Sequence, residues 1–285
     1  MTFPESGVPG RAHRATEPLH AMIYFAPEAE QELTGVGLRP GRMGYFAGRS
    51  AAMGAVSGGV VTATFYNFHP DLVARHIPRA WTLASPEGVL GARAAAVDKA
   101  LHRLLGPAAD APEVAELAGL ARAACDALTP EARPLYAAHA GLDWPGEPRL
   151  SLWHACTLLR EYRGDGHLMA LQRAGLSGVE ALVTHTATGR GFTLDSAKKL
   201  RGWSDEEWAA ATDRLAERGL WHGDGLTAAG AELRARVESE TDELDIAGWR
   251  HLGPDRTARL IELGKSLSRQ IVANGAFPAG VFAAR

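Results

Sequence analysis

The stretch from Trp203 to Leu244 constrains the fold more than any other part of this chain. Ser204-Asp205-Glu206-Glu207 is a helix start: the serine can cap free N–H groups, and the three carboxylates suit the positive end of a helix. Trp208, Ala211, Leu215 and Leu220 then recur at helical spacing, which predicts a helix over 205–218. Gly219 is placed for a left-handed C-cap. His222-Gly223-Asp224-Gly225 predicts the tight turn of a short β-hairpin near His222 to Thr227, followed by a long helix from about Ala231 to Leu244. The 205–218 helix carries five acids (Asp205, Glu206, Glu207, Asp213, Glu217) against two bases, Arg214 and Arg218. Contact with phosphates supplies much of the affinity of any nucleic-acid reader, so a helix of that sign is repelled at a DNA groove.

Strand patterns are scarce elsewhere, and apolar residues recur mostly at three and four, so the chain reads as mainly α-helical. Residues 1–24 are expected to form a disordered arm, 25–142 an N-terminal helical domain and 149–285 a C-terminal domain. The boundary is set by the helix-breaking run Asp143-Trp144-Pro145-Gly146-Glu147-Pro148. A net charge of −3 disfavours a dedicated nucleic-acid or membrane-surface binder. No apolar run is long enough for a signal peptide or a membrane span, and Cys125 and Cys156 form no zinc-site pattern; a reducing, cytoplasmic compartment is expected.

The densest chemistry lies between Leu150 and His167. Leu152, Cys156 and Leu159 mark an apolar face, and His154, Thr157 and Glu161 are expected to share another, with Arg160 beside it. Arg163-Gly164-Asp165-Gly166-His167 reads as a turn closing that helix. Charges in so apolar a setting must pair with one another or meet a ligand. An ion-pair network is one reading and the wall of a ligand cleft is another. In the cleft reading Thr157, Arg160, Arg163 and Asp165 face Tyr45, Arg49, Tyr66 and Asn67 across the junction of the two halves. A third reading is catalytic, with His154 or His167 as acid/base and Glu161 or Asp165 orienting it.

Several phrases occur together: MGYFAGRSAAMG (43–54), VVTATFYNFHPDLVARHIPRAW (60–81), LWHACTLLREYRGDGHLMAL (152–171), RGWSDEEW (201–208) and LTAAGAELR (226–234). With them the chain resembles the actinobacterial SalK-type helix-turn-helix family. Its C-terminal half is also similar to the winged helices of regulators of the multiple-antibiotic-resistance (MarR) type. The resemblance implies tandem winged-helix-like halves with a short β-hairpin wing. It implies little chemistry; the residues themselves are read first as a protein that binds a small organic ligand between its halves, with transcriptional regulation as one outcome, and alternatively as an enzyme of secondary metabolism using the His/carboxylate/Arg cluster. DNA is a possible partner, disfavoured by the acidic helix; Arg190, Lys198, Lys199 and Arg201 are the basic candidates for it. The resemblance names no reaction, cofactor, metal or oligomeric state.

Overall fold

The computed structural model describes residues 7–283 and contains fifteen α-helices and one two-stranded sheet among them. Helix α9 (Pro148–Arg173) is the axis of the fold. Pro148 sits at its first position, where a missing N–H costs nothing. Its 26 residues are buried over most of their length, as expected for a helix that is apolar nearly all round. Leu152, Trp153, Cys156, Leu159 and Tyr162 join the largest core cluster, and Ala170 and Leu171 join a separate cluster under the hairpin. Helices α1 (Val8–Ala21), α6 (Pro86–Leu105), α7 (Pro112–Cys125), α14 (Ile246–Leu252) and α15 (Pro254–Ala273) complete the first cluster. Helices α2 (Pro27–Gly35), α3 (Arg42–Ser50), α4 (Gly58–Phe65), α5 (Pro70–Ala74) and α8 (Pro134–Ala140) surround or abut a second, centred on Phe46, Phe65 and Phe68.

Three expectations are corrected. The segment read as a disordered arm forms α1, whose Ala12, Ala15 and Leu19 are buried. Its small residues let α15 approach so closely that Ser268 Oγ donates to the Ala15 carbonyl at 2.7 Å. Residues 1–6 of that expectation lie outside the described residues. The turn expected at 163–167 is helix, because α9 runs on to Arg173. A helical glycine costs about 1 kcal/mol relative to alanine, and packing offsets that cost at Gly166. A Cβ there would lie 2.8 Å from the Arg133 guanidinium and 3.3 Å from Leu244. Finally, the break at 143–148 does not divide the core: the first cluster joins residues on both sides of it, from Val8 to Ala276.

The C-terminal pattern is as read. Ser204 and Glu207 form a reciprocal capping box on α12 (Asp205–Glu217), and Gly219 takes a positive φ just past its end. Trp221–His222 pairs antiparallel with Gly225–Leu226, Trp221 opposite Leu226. Helices α10 (Gly178–Thr186) and α11 (Leu194–Arg201) precede α12, and α13 (Ala228–Leu244) follows the hairpin. Helix, helix, helix, hairpin, helix is the winged-helix order. Phe192, between α10 and α11, bridges to Phe282 of the C-terminal tail and not to the hairpin. No strand forms within 25–142, so the N-terminal half has helices and no wing; its Gly- and Ala-rich stretches are taken up in helix–helix contact.

Candidate functional site

Helix α3 and the middle of α9 converge on one buried carboxylate. Glu161 is 1 % exposed. Arg49 of α3 reaches it through Nε at 3.2 Å and Nη2 at 3.0 Å, and Arg160 places Nη1 2.8 Å from both oxygens. Burial alone would raise the Glu161 pKa, but Arg160 and Arg49 hold it well below the usual carboxylate range. Arg49 also lies over the Phe65 ring, 4.3 Å from its centroid, and points Nη1 toward the Tyr45 hydroxyl at 3.5 Å.

Helix α1 and the turn after it form the next wall. Thr157 donates to the Trp153 carbonyl, so its oxygen must accept from His20 Nδ1 at 3.0 Å. That fixes the proton of His20 on Nδ1. His20 Nε2 is then an acceptor for the Tyr24 hydroxyl at 2.8 Å. The ring of His20 stacks on Trp153, and burial holds its pKa well below 6.5, so it is neutral. Tyr24 meets Tyr45 with ring centroids 5.1 Å apart.

Arg93 of α6 shares this space without a carboxylate of its own. It is 4 % exposed, lies 4.7 Å over the Trp153 ring, and bonds the neutral His139 at 3.3 Å. Its Nη2 has no hydrogen-bond partner. Glu17 of α1 is 3.8 Å from Arg160, and burial raises its pKa. From the wing-bearing half comes Arg201, which stacks against Phe68 and Phe192 and donates to Asn67 Oδ1 at 3.1 Å. Arg49, Arg201 and Arg160 together pull the Tyr45 pKa down against the effect of burial. Arg160, Tyr24, Tyr45, Glu17 and Arg201 come from four helices and the turn after α1, and all are half-buried.

The expected site residues therefore divide. Tyr45, Arg49, Thr157, Arg160 and Glu161 lie together in one buried cluster. His154 does not: it sits edge-on to Trp144, with Nε2 unpartnered, on another side of α9. His167 bonds Thr241 Oγ1 at 2.8 Å, and burial lowers its pKa to about 3. Neither histidine touches a carboxylate, and Glu161 is committed to two arginines, so the expected His/carboxylate pair does not form. Arg163 pairs with Asp242 at 2.7 Å and Asp245 at 3.4 Å, locking α9 to the end of α13. Asp165 takes the N–H groups of Leu135 and Tyr136 and so caps α8. The Tyr66 hydroxyl donates to the Leu176 carbonyl, and Asn67 supports Arg201 and Trp203. Sequence reasoning missed Glu17, His20, Tyr24 and Arg93. Nothing local marks them, because each lies in a helix whose neighbours are far away in the chain.

The DNA candidates divide too. Arg190 and Lys199 are exposed, but Lys198 pairs with Asp205 at 2.7 Å and Arg201 is turned inward. The first turn of α12 is docked on the N-terminal half: His69 bonds Glu207 at 2.8 Å and meets the Trp203 ring edge-on. Trp203 also donates to the Asn67 carbonyl at 2.9 Å.

Among the described residues no cluster of His, Cys, Asp and Glu could hold a metal, and no helix is long and apolar enough to cross a membrane. Comparison with known proteins places the chain by family. A profile described as a helix-turn-helix family matches residues 9–278, nearly the whole chain, and the protein belongs to that family. No curated protein and no solved structure matches it.

Proposed function

We propose that this member of the helix-turn-helix family binds a small aromatic anion in the crevice between its helical body and its wing-bearing half. The observation that carries the reading is the surplus of guanidinium groups. Arg49 and Arg160 share one fully buried carboxylate, with Glu17 3.8 Å from Arg160, while nearby Arg93 bonds only a neutral histidine and keeps an unpartnered nitrogen. A buried charge without a counter-charge costs several kcal/mol on an order-of-magnitude scale, and an incoming carboxylate or phosphate would offset that. Tyr24 and Tyr45, both half-buried, supply ring surface for an aromatic body. Arg201, half-buried and paired only with a neutral amide, is the contribution from the second half. The SalK-type likeness and a role in regulation or secondary metabolism belong to the same proposal and add no residue to it. Catalysis is not part of it, since Glu161 is unavailable as a base.

Native mass spectrometry of the purified protein, followed by calorimetric titration with benzoate and phenyl phosphate, tests the reading. Binding of at least one anion, weakened about tenfold (about 1.4 kcal/mol) in both Arg160→Gln and Arg201→Gln, is expected. Absence of any anion binding, or affinity unchanged in both variants, overturns it.

A further inference from the structure

A second cavity lies one turn along α9, on the far side of Asp165 from the arginines. It is a groove of about 510 Å³ lined by Ala63, Thr64 and Tyr66 at the end of α4, Ala132 before α8 and Pro134 at its first position, and Asp165, Leu168, Met169 and Gln172. That volume falls in the range of small-molecule sites. Its walls are mostly apolar and its floor is not. Thr64 and Asp165 are both buried, 7 % and 4 % exposed. Asp165 Oδ2 receives the two N–H groups that cap α8, at 3.0 and 2.9 Å, which leaves Oδ1 for the groove.

The hydrogen-bonding inventory decides what such a groove wants. The Thr64 hydroxyl spends its proton on the Val60 carbonyl at 2.8 Å. The Tyr66 hydroxyl spends its own on the Leu176 carbonyl and accepts from Gln172 at 2.9 Å. Thr64 therefore offers the groove lone pairs and no proton, as does Asp165 Oδ1. Asp165 has no ion pair among the described residues, and no cationic side chain lines the groove. Burial, with a contribution from the neighbouring Glu161 and against the pull of the two amides and of Arg49, raises the Asp165 pKa to about 6. No cation is paired with this carboxylate among the described residues. The backbone at the rim is held in sparsely populated geometry: Tyr66 has φ 58° and ψ −56°, and Ala132 has φ 57°. Strain of that kind is kept where surrounding structure over-determines it.

We infer that this groove is a binding site for a small organic amine, whose ammonium group meets Asp165 Oδ1 and the Thr64 oxygen while its apolar body lies on Ala63, Pro134, Leu168 and Met169. An ammonium brings three donors to a floor that offers acceptors, and a positive charge to a carboxylate that has none beside it. The inference is independent of the anion site, because the arginines would repel the same ligand.

The test is titration of the intact protein with benzylamine, with benzyl alcohol as the neutral isostere, followed by calorimetry and by amide chemical shifts of the 63–66 and 132–136 segments. Saturable binding at one site is expected, with benzyl alcohol at least about tenfold weaker. Asp165→Asn keeps an oxygen for the Leu135 and Tyr136 amides and removes only the charge, so unchanged melting with at least about tenfold loss of benzylamine affinity is expected. Ala63→Trp, an exposed position on the groove wall, should weaken binding too, and it keeps the test sharp if the Asn variant misfolds. No binding by the wild-type protein, equal affinity for benzylamine and benzyl alcohol, or binding that survives both substitutions overturns the inference.

Discussion

Glu161→Gln is the perturbation that most directly probes the arginine cluster. The carboxylate accepts from two guanidinium groups at 2.8 to 3.2 Å and is 1 % exposed. At a charge separation of about 4 Å and an effective dielectric constant of about 20, each pair attracts by ~4 kcal/mol. Glutamine abolishes both attractions, keeps one acceptor, and leaves Arg49 and Arg160 facing each other. Part of the loss is returned because a buried charge no longer has to be desolvated. The net cost expected for removing one partner from a buried ionic group is ~3–5 kcal/mol. At ~2–4 °C per kcal/mol for a chain of this size, the melting temperature should fall by ~6–20 °C. Urea denaturation followed by far-ultraviolet circular dichroism reads the first quantity, and calorimetry the second. Arg93→Met is the matched control. It sacrifices a cation–π contact and one hydrogen bond to His139, together ~2 kcal/mol, and relieves a buried charge with no counter-charge. Its stability should stay within ~1 kcal/mol of wild type. Anion affinity should move the other way: stronger in Glu161→Gln, where the crevice is more positive, and weaker in Arg93→Met. A Gln variant that loses less than ~1 kcal/mol, or an Arg93→Met that collapses, would refute the account of one carboxylate neutralising two of three cations.

Acid should destabilise the fold between pH 6.5 and 4. His13, His20, His139, His154 and His167 all have folded pKa values pushed below 6.5 by burial, to about 4 for His139 and His154. A depressed histidine contributes stability that is present above its unfolded pKa and lost as pH falls toward the folded value. Asp165 and Asp245 act in the opposite sense: burial raises them to about 6 and 7, so they favour the fold as pH falls. With His76 and His185 also lowered and Glu17 also raised, seven histidines stand against three carboxyls; the net loss is to be read as a urea midpoint lower at pH 5 than at pH 7.5, and an equal or higher midpoint rejects the assignment of neutral buried histidines. The second expectation concerns DNA. Intact protein should not retard a duplex of its own promoter region even at about 50 mM salt, where phosphate contacts are strongest, because the α12 first turn is acidic and docked on His69 and Asn67. A salt-sensitive shift under those conditions would show that the docked arrangement opens or that another face reads the duplex.

The parts of the fold legible in the sequence were those fixed by neighbours in the chain. Ser204 with Glu207, Gly219, and the Gly223–Gly225 turn each act within four residues, and each does what its spacing implies. That charged residues on a helix that must be buried need partners was legible too, but the ion pair of Arg49 with Glu161 was not, because the first half offers many arginines and nothing local singles out this one. The failures share one cause. Gly164 and Gly166 look like a turn because, taken locally, glycine weakens a helix. The approach of Arg133 and Leu244 to Gly166 involves residues 33 positions before it and 78 after it, and no window on the sequence contains them. His154 was placed on the polar face by a count of helical positions, although Trp144, across the turn before α9, had already claimed it.

Arg201 shows how far chemical type can mislead without geometry. Beside Lys198 and Lys199 it reads as part of a basic patch just ahead of a helix that, in this fold order, would enter a groove. The same side chain is instead drawn between Phe68 and Phe192, and burial lowers its pKa to about 10, still cationic at neutral pH. Its direction is set by the docking of the α11–α12 turn: Gly202 passes so near Leu72 that a Cβ would lie 3.0 Å from that side chain. A residue larger than glycine there would push α12 away from the N-terminal half and carry Arg201 out of the crevice. The same contact that seats the first turn of α12 on the N-terminal half thus brings the fourth guanidinium toward Tyr45. On the proposed reading, the docking of α12 on the N-terminal half and the assembly of the anion crevice are two consequences of one packing arrangement.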